Sequence, residues 1–264
     1  MFQLTPVIRN ILIVNVLVFF LPQILGTSDL ITKIFGLHHI DSPYFMPWQW
    51  LTHAFVHANF QHILFNMLGM VFFGPILESV WGSKKFLIFY IVCAIGAGLL
   101  YNAINYYELA QEIKSAEAFY LNPNPTDYEL FIKKFHPEYL RSASGFANQW
   151  ENNLASQYHI LQSKEDIDNL IILSRNQPMI GASGAIYGIL AAFGLLFPNM
   201  ELVLLFPPIP IKAWIMISVY FVTSLYSAVN PMPGDNVAHY AHLGGMFIGA
   251  IFVYFWRTGN TRTY

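Results

Sequence analysis

Charged residues are scarce in this chain of 264 residues. They make up 11% of it, whereas 55% of the residues are hydrophobic and 17% are aromatic. A soluble domain has about 25% charged residues, so this composition excludes an ordinary soluble enzyme. The mean hydropathy of +0.45 agrees. We expect a polytopic membrane protein of one domain, residues 1–264, with the lipid bilayer around it. The net charge of −2 gives no indication of a nucleic-acid partner, and none is expected.

Cysteine is almost absent. Cys93 is the single one and lies in an apolar run, which excludes a disulfide framework and indicates a buried structural thiol. A metal site is the rival hypothesis, because His53, His57, His62 and His239 are zinc ligands by residue type. The chain has no HExxH motif, and histidines in a stretch such as THAFVHANFQH more often cap, pack or hydrogen-bond. We therefore expect no metal.

Six apolar segments approach the length of about 20 residues that a bilayer requires. They are residues 7–25, 61–77, 85–106, 183–197, 212–229 and 239–256. No small-residue cleavage site follows the first segment, so we interpret it as a transmembrane helix and not a signal peptide.

Lysine and arginine in the short loops predict the orientation of these helices. One set of helix ends carries most of them, whereas the other short loops carry Lys33 alone. The basic residues on the first set are Arg9, Lys84, Lys85, Lys212, Arg257 and Arg262. The positive-inside rule then places both termini in the cytoplasm, and loops 26–60, 107–182 and 230–238 on the outer side.

The loop after the third segment is long and polar. Its pattern from about 107 to 178 predicts two to four short amphipathic helices, with starts near Asp127 and Ser163. We interpret it as a folded insertion on the outer surface. The predicted fold is therefore all-α, a transmembrane six-helix bundle with a helical extramembrane insertion.

Five polar residues lie within the apolar segments at one depth. His62 and Asn66 begin the second segment, Ser183 and Tyr187 the fourth, and His242 the sixth. All three segments start at an outer loop, so these side chains meet in the outer half of the membrane. Polar groups in hydrocarbon are costly, so each requires a reason. The stretch before Ser183 enters the bilayer as irregular backbone, which is tolerated only inside protein or beside a wet cavity.

This set of residue types suits hydrolysis. A serine needs a base to take its proton, and histidine is the usual one, so Ser183 and His242 form a candidate dyad. No carboxylate lies in the middle of a segment, and Asp235, near His242, falls in a loop. We expect the His242 ring to be held by packing against Tyr187.

The remaining candidates would stabilise the oxyanion or admit the substrate. The side chains of His62 and Asn66, with the Ser183 backbone N–H, are potential hydrogen-bond donors to a tetrahedral oxyanion. Gly181 and Gly184 would let the backbone approach the substrate closely.

Each of these residues also has a simpler interpretation. A serine among small residues is more often a helix-packing residue, and 184/188 and 245/249 are GxxxG spacings typical of close helix contact. A lone intramembrane histidine could be a proton relay or a ligand site, and a lone tyrosine is most often core. A transporter is a further alternative, disfavoured by the lack of intramembrane carboxylates and of an evident inverted repeat. The common depth of all five residues favours catalysis.

The same residues resemble the rhomboid intramembrane serine proteases. The resemblance rests on GASG at 181–184 with Tyr187, on AHLGG at 241–245 with Gly249, and on HANFQHILFN at 57–66. It covers the six segments and leaves out 107–178. It implies Ser183 as nucleophile, His242 as general base, His62 and Asn66 as the oxyanion pair and Tyr187 as the ring on the histidine.

What the resemblance implies about function is specific. Family members cleave transmembrane substrates near the outer membrane face and use no cofactor, with lateral substrate entry near helices two and five. The compact six-helix pattern resembles bacterial members, which implies the inner membrane. The alternative is a catalytically silent rhomboid-like protein that binds membrane clients.

Two features depart from the family. Where the family often has Trp-Arg in the first outer loop, Trp48 is followed here by Gln49. The insertion at 107–178 is the other departure. It could cap or gate the site, recruit substrate ectodomains, or be a solvated decoration.

Overall fold

The computed structural model describes residues 4–203, 209–230 and 237–256. The first helices are α1 Pro6–Leu25, α2 Ser28–Phe35, α3 Gln49–Thr52, α4 Phe60–Trp81 and α5 Ser83–Leu121. They are followed by α6 Pro125–Phe135, α7 Leu140–Glu151, α8 Gln157–Asn176, α9 Ser183–Leu196, α10 Ala213–Val229 and α11 His239–Trp256. Asp235, Arg257 and Arg262 lie outside the described residues.

The predicted all-α membrane fold is confirmed. Each apolar segment coincides with a helix: α1, α4, α5, α9, α10 and α11 in chain order. Among the described residues, α1, α4 and α5 are each long and apolar enough to cross a membrane alone, while α9 and α10 are shorter apolar helices. One small element was not predicted, an antiparallel hairpin of β1 Glu201–Val203 and β2 Pro210–Lys212. It lies between α9 and α10. Several prolines occur there, and because proline is unfavourable in strands the sequence does not predict a strand.

Helix α11 packs between α5 and α9 through glycine. A Cβ added at Gly245 would collide with the Gly184 carbonyl, and one at Gly249 would lie 2.5 Å from the Gly188 carbonyl oxygen. Gly188 in turn faces the buried Cys93 thiol of α5. The GxxxG spacings therefore bring α9 and α11 into backbone contact, the arrangement that small residues permit between membrane helices.

The end of the bundle opposite Ser183 contains a buried carboxylate. Glu78 lies in the last turn of α4, one residue beyond the predicted segment, and is 2% exposed. It accepts hydrogen bonds from the Val7 and Ile8 backbone N–H groups at 3.1 Å and from the Ser83 hydroxyl at 2.6 Å. It thus satisfies the free donors at the start of α1, and its charge complements that end of the helix dipole.

Helix α5 does not end with its apolar segment. The whole helix is 39 residues long, about 58 Å at 1.5 Å per residue, which is roughly twice the thickness of the hydrocarbon core. Its outer part carries α6, α7 and α8 around a second hydrophobic core, which includes Phe119, Phe131 and the fully buried Trp150. The predicted helix start at Ser163 is wrong. Ser156 caps α8, and Ser163 lies inside that helix with its hydroxyl on the Ile160 carbonyl at 3.0 Å.

The first outer loop, between α1 and α4, is organised by Gln49. Its side chain is fully buried, and Nε2 donates to the carbonyl oxygens of Tyr44 at 2.9 Å and Ile34 at 3.1 Å. Its Oε1 accepts from the backbone N–H groups of Met46 at 3.1 Å and His38 at 3.3 Å. A neutral amide thus ties the loop together.

Candidate active site

Ser183 and His242 meet at the N-terminal ends of α9 and α11. The Ser183 hydroxyl lies 2.9 Å from Nε2 of His242. The serine is the first residue of its helix and is half-buried, whereas the histidine is 6% exposed. The glycine contacts described above hold the two helices at the separation that this hydrogen bond requires. With Nε2 accepting, the imidazole is placed to take the hydroxyl proton.

Tyr187 lies one helical turn after Ser183 and stacks on the histidine. The two rings are nearly parallel, at 7°, with their centroids 4.0 Å apart. The tyrosine ring also makes an edge contact with Tyr220 of α10, with the ring centroids 5.9 Å apart. Packing therefore holds the His242 ring, and the same tyrosine links α9 to α10.

His62 and Asn66 border the turn before Ser183. Gly181 in that turn has φ +120°, a conformation that L side chains rarely adopt. A Cβ there would lie 2.6 Å from His62 Nε2 and 3.7 Å from Asn66 Nδ2, so only glycine leaves room for them. Gly184 is different, because its close neighbours are Ala97 of α5 and the backbone of α11. Gly181 is the predicted glycine that borders the cluster, whereas Gly184 packs helices.

Both polar side chains beside Gly181 present donors. The Ala58 backbone N–H reaches Nδ1 of His62 at 3.5 Å, which leaves the ring proton on Nε2, the nitrogen nearest Gly181. Asn66 is 6% exposed, and among the described residues its Nδ2 has no hydrogen-bond partner. A buried donor without a partner is rare and costly, so it calls for an explanation. A negatively charged oxygen beside Gly181 would satisfy both donors.

His57, a candidate metal ligand by residue type, also belongs to this cluster. Its ring makes an edge contact with His62, with centroids 4.9 Å apart, and its side chain is 7% exposed. Burial, with a smaller effect of His62, lowers the pKa of His57 to about 3. His57 precedes His62 by five residues and lies in the loop before α4, so the spacing of the two histidines did not indicate that their side chains are neighbours. No group of three His, Cys, Asp or Glu side chains suited to a metal occurs among the described residues.

The comparison with known protein families agrees with this geometry. A sequence model described as the Rhomboid domain matches residues 44–110 and 157–258. The chain belongs to the rhomboid family. The matched residues include every residue of the cluster around Ser183. They skip 111–156, which hold the outer end of α5 together with α6 and α7.

Individual rhomboid proteins match a shorter part of the chain than the family model does. The chain is similar to the Rhomboid protease GlpG of Pectobacterium atrosepticum, with 30% identity over 93 residues, 35% of this chain and 33% of that protein. GlpG of Yersinia enterocolitica is 27% identical over 107 residues, 39% and 38% of the two chains. GlpG of Serratia proteamaculans is 32% identical over 93 residues, 35% and 33%. The match thus spans little more than a third of the relatives' length.

Proposed function

We propose that this rhomboid-family chain is an intramembrane serine endopeptidase. It hydrolyses peptide bonds of transmembrane protein substrates near the outer membrane face. The observation that carries the proposal is the 2.9 Å contact between the Ser183 hydroxyl and His242 Nε2 under a stacked Tyr187. Family membership and the similarity to the GlpG rhomboid proteases support the same activity.

The reaction follows from the placement of the side chains. His242 takes the hydroxyl proton as Ser183 attacks the carbonyl carbon, and it returns that proton to the leaving amine. The oxyanion accepts hydrogen bonds from Asn66 Nδ2, His62 Nε2 and the Ser183 backbone N–H. Water then hydrolyses the acyl-enzyme, and no metal or cofactor takes part.

The position of the site supports cleavage near the outer face. Helix α9 has 14 residues, about 21 Å, so its first residue lies below the surface of a hydrocarbon core of about 30 Å. The turn 177–182 in front of it is irregular backbone that pairs with the first outer loop at Met179, and Met179, Gly181 and Ala182 are buried. Arg9, Lys84 and Lys85 occur at the other ends of the helices, which supports cytoplasmic termini. The bacterial relatives support a bacterial inner membrane.

Fluorophosphonate labelling of the purified protein tests the proposal directly. We expect the wild type to be labelled, and Ser183→Ala and His242→Ala to lose the label while remaining folded. Cleavage of a reporter transmembrane segment should follow the same pattern. A wild type that is neither labelled nor able to cleave would overturn the proposal in favour of a client-binding rhomboid-like protein.

A further inference from the structure

A groove runs along the half of α1 that leads into the first outer loop. Its volume is about 440 Å³. One wall is a stripe of α1 side chains spaced three and four residues apart, which places them on a single face of the helix. These residues are Val14, Leu17, Val18, Leu21, Pro22 and Leu25. The opposite wall comes from α2 and the first outer loop.

The walls of the groove are apolar. Ile31 and Phe35 of α2, with Phe55 and Val56 of the loop, face the α1 stripe, and none of the lining residues is charged. The two polar lining residues are threonines, and the hydroxyl of Thr52 already donates to the Phe35 carbonyl at 2.8 Å. A cavity holds water only where it offers the water two to four polar partners. The groove therefore suits an apolar occupant.

The groove opens onto the surface of α1 that faces lipid. Leu17 and Leu21 are each 49% exposed, and Leu25 is 71% exposed. Helix α1 is long and apolar enough to cross the membrane alone, so these exposed side chains contact hydrocarbon. The groove is continuous with this surface, and lipid chains are therefore the molecules at its mouth.

The dimensions of the groove match one lipid chain. From Val14 to Leu25 an α-helix rises about 16 Å, and one leaflet contributes about half of a hydrocarbon core of about 30 Å. A transmembrane helix about 10 Å across would need roughly 1,200 Å³ over the same length. The volume of the groove is much smaller, so it fits a single extended chain and not the helix of a substrate.

We propose that this groove binds one acyl chain of a lipid in the leaflet on the side of Ser183, and that the bound chain supports residues 52–56 of the first outer loop. None of the candidate catalytic residues lines the groove. Because its walls are uncharged, the lipid is recognised by its chain and not by its head group.

The loop segment that lines the groove is directly connected to the candidate active site. Phe55 and Val56 lie between His53, whose carbonyl oxygen accepts a hydrogen bond from the Gly181 backbone N–H at 2.9 Å, and His57, which belongs to the cluster beside that glycine. A chain packed against Phe55 and Val56 therefore restrains the backbone that holds the turn before the serine. This effect on catalysis rests on the proposed function, whereas the binding of the chain does not.

Binding can be tested without a catalytic assay. The purified protein is reconstituted in phosphatidylcholine vesicles with a trace of a phosphatidylcholine that has a photoreactive diazirine in the middle of one chain, and labelled residues are mapped by mass spectrometry. We expect label on Phe55 or Val56. Val56 is only 4% exposed, so chains that merely coat the protein do not reach it. Vesicles of phosphatidylglycerol with the matching probe should give the same label.

Two tryptophan variants of α1 sharpen this test. Leu21→Trp places an indole in the groove and should remove the label from residues 55 and 56. Val16→Trp is the matched control, because Val16 is 43% exposed on the same helix but does not line the groove, and it should keep the label. Thermal midpoints check that both variants are folded, and the wild-type map is decisive without them.

Three results would overturn the lipid site. They are wild-type label confined to the outer surface of the helices, an unchanged label at residues 55 and 56 in folded Leu21→Trp, and displacement of that label by an added transmembrane peptide. The last result would instead identify a groove for substrate.

The supporting role is read from fluorophosphonate labelling of Ser183 in lipid-free detergent and after addition of phosphatidylcholine. In the wild type and in Val16→Trp we expect lipid to raise the rate by about fourfold, the effect of burying one methylene group. Leu21→Trp should hardly respond, and a wild-type response in that variant contradicts the supporting role. If no protein is labelled under any condition, the proposed function fails, while the photoreactive lipid still decides whether the groove binds a chain.

Discussion

The membrane bundle and the outer insertion bury polar side chains in different ways. In the insertion, buried polar groups bond to one another: His136 pairs with Glu112 at 2.8 Å, and the Tyr128 hydroxyl donates to Asp166 at 2.9 Å. In the bundle, Asn66 and His57 are among several side chains, Asn15 and Tyr90 included, that have buried polar atoms without a partner among the described residues. Asn66 and His57 lie beside the turn that precedes Ser183.

This difference separates groups that support the fold from groups that serve another molecule. A paired buried group stabilises its own surroundings, whereas an unpaired one costs free energy until something binds to it. The insertion is therefore a small folded body with its own core, and the unpaired groups of Asn66 and His57 lie beside Ser183, where a substrate would bind. The predictions that follow change one region at a time, in descending order of their effect on activity.

The largest effect is expected from Gly245→Ala. The new methyl group would meet the Gly184 carbonyl, so α11 must move away from α9 and the Ser183–His242 contact opens. Overpacking costs about 1–3 kcal/mol and more where backbone blocks the way. We expect loss of activity and a lower thermal midpoint. Gly145→Ala in α7 is the matched control, because nothing lies within 4 Å of the new methyl group. Equal damage from both changes would contradict the packing argument.

Asn66→Ala should reduce activity without unfolding the protein. Removal of one donor to an oxyanion typically lowers the rate by about 100- to 1000-fold. Stability should hardly change, because the amide nitrogen has no partner among the described residues to lose. Asn102→Ala is expected to behave in the opposite way, since that side chain bonds the first outer loop through His38 and Ile40. Parallel measurements of kcat and thermal midpoint distinguish the two patterns.

Tyr187→Phe should have a smaller effect. It keeps the ring stacked on His242 and removes only the hydroxyl. We expect a rate within about fivefold of the wild type, since a neutral hydrogen bond contributes only about 1 kcal/mol. Tyr128→Phe removes a comparable hydroxyl from the insertion and should leave the rate unchanged. A hundredfold loss in Tyr187→Phe would show that the hydroxyl, not the ring, is what matters.

The sequence predicted the bundle well and the insertion less well, for a physical reason. Apolar runs are imposed by the bilayer, so the six spans and the common depth of Ser183, His62 and His242 can be deduced locally. The outer part of α5 is polar and amphipathic, so its continuation to Leu121 depends on packing against α6 and α8. The contacts of the His38 ring with the Lys33 and Asn176 carbonyl oxygens could not be predicted either, because these carbonyls belong to the ends of two helices that are far apart in the chain.

The smallest effect on activity is expected from Glu112→Ala, although its effect on stability is large. The change leaves His136 buried without its 2.8 Å partner, and breaking a buried pair of this kind costs about 3 kcal/mol. Hydrogen exchange should therefore rise in α6 and α7. The end of α8 is held separately, by the bonds of Asn176 to His38 and Ser42, so we expect the labelling rate of Ser183 to stay within about twofold. If that rate instead fell tenfold, the insertion core would be coupled to catalysis, and the insertion would be a gate, not an independently stabilised body.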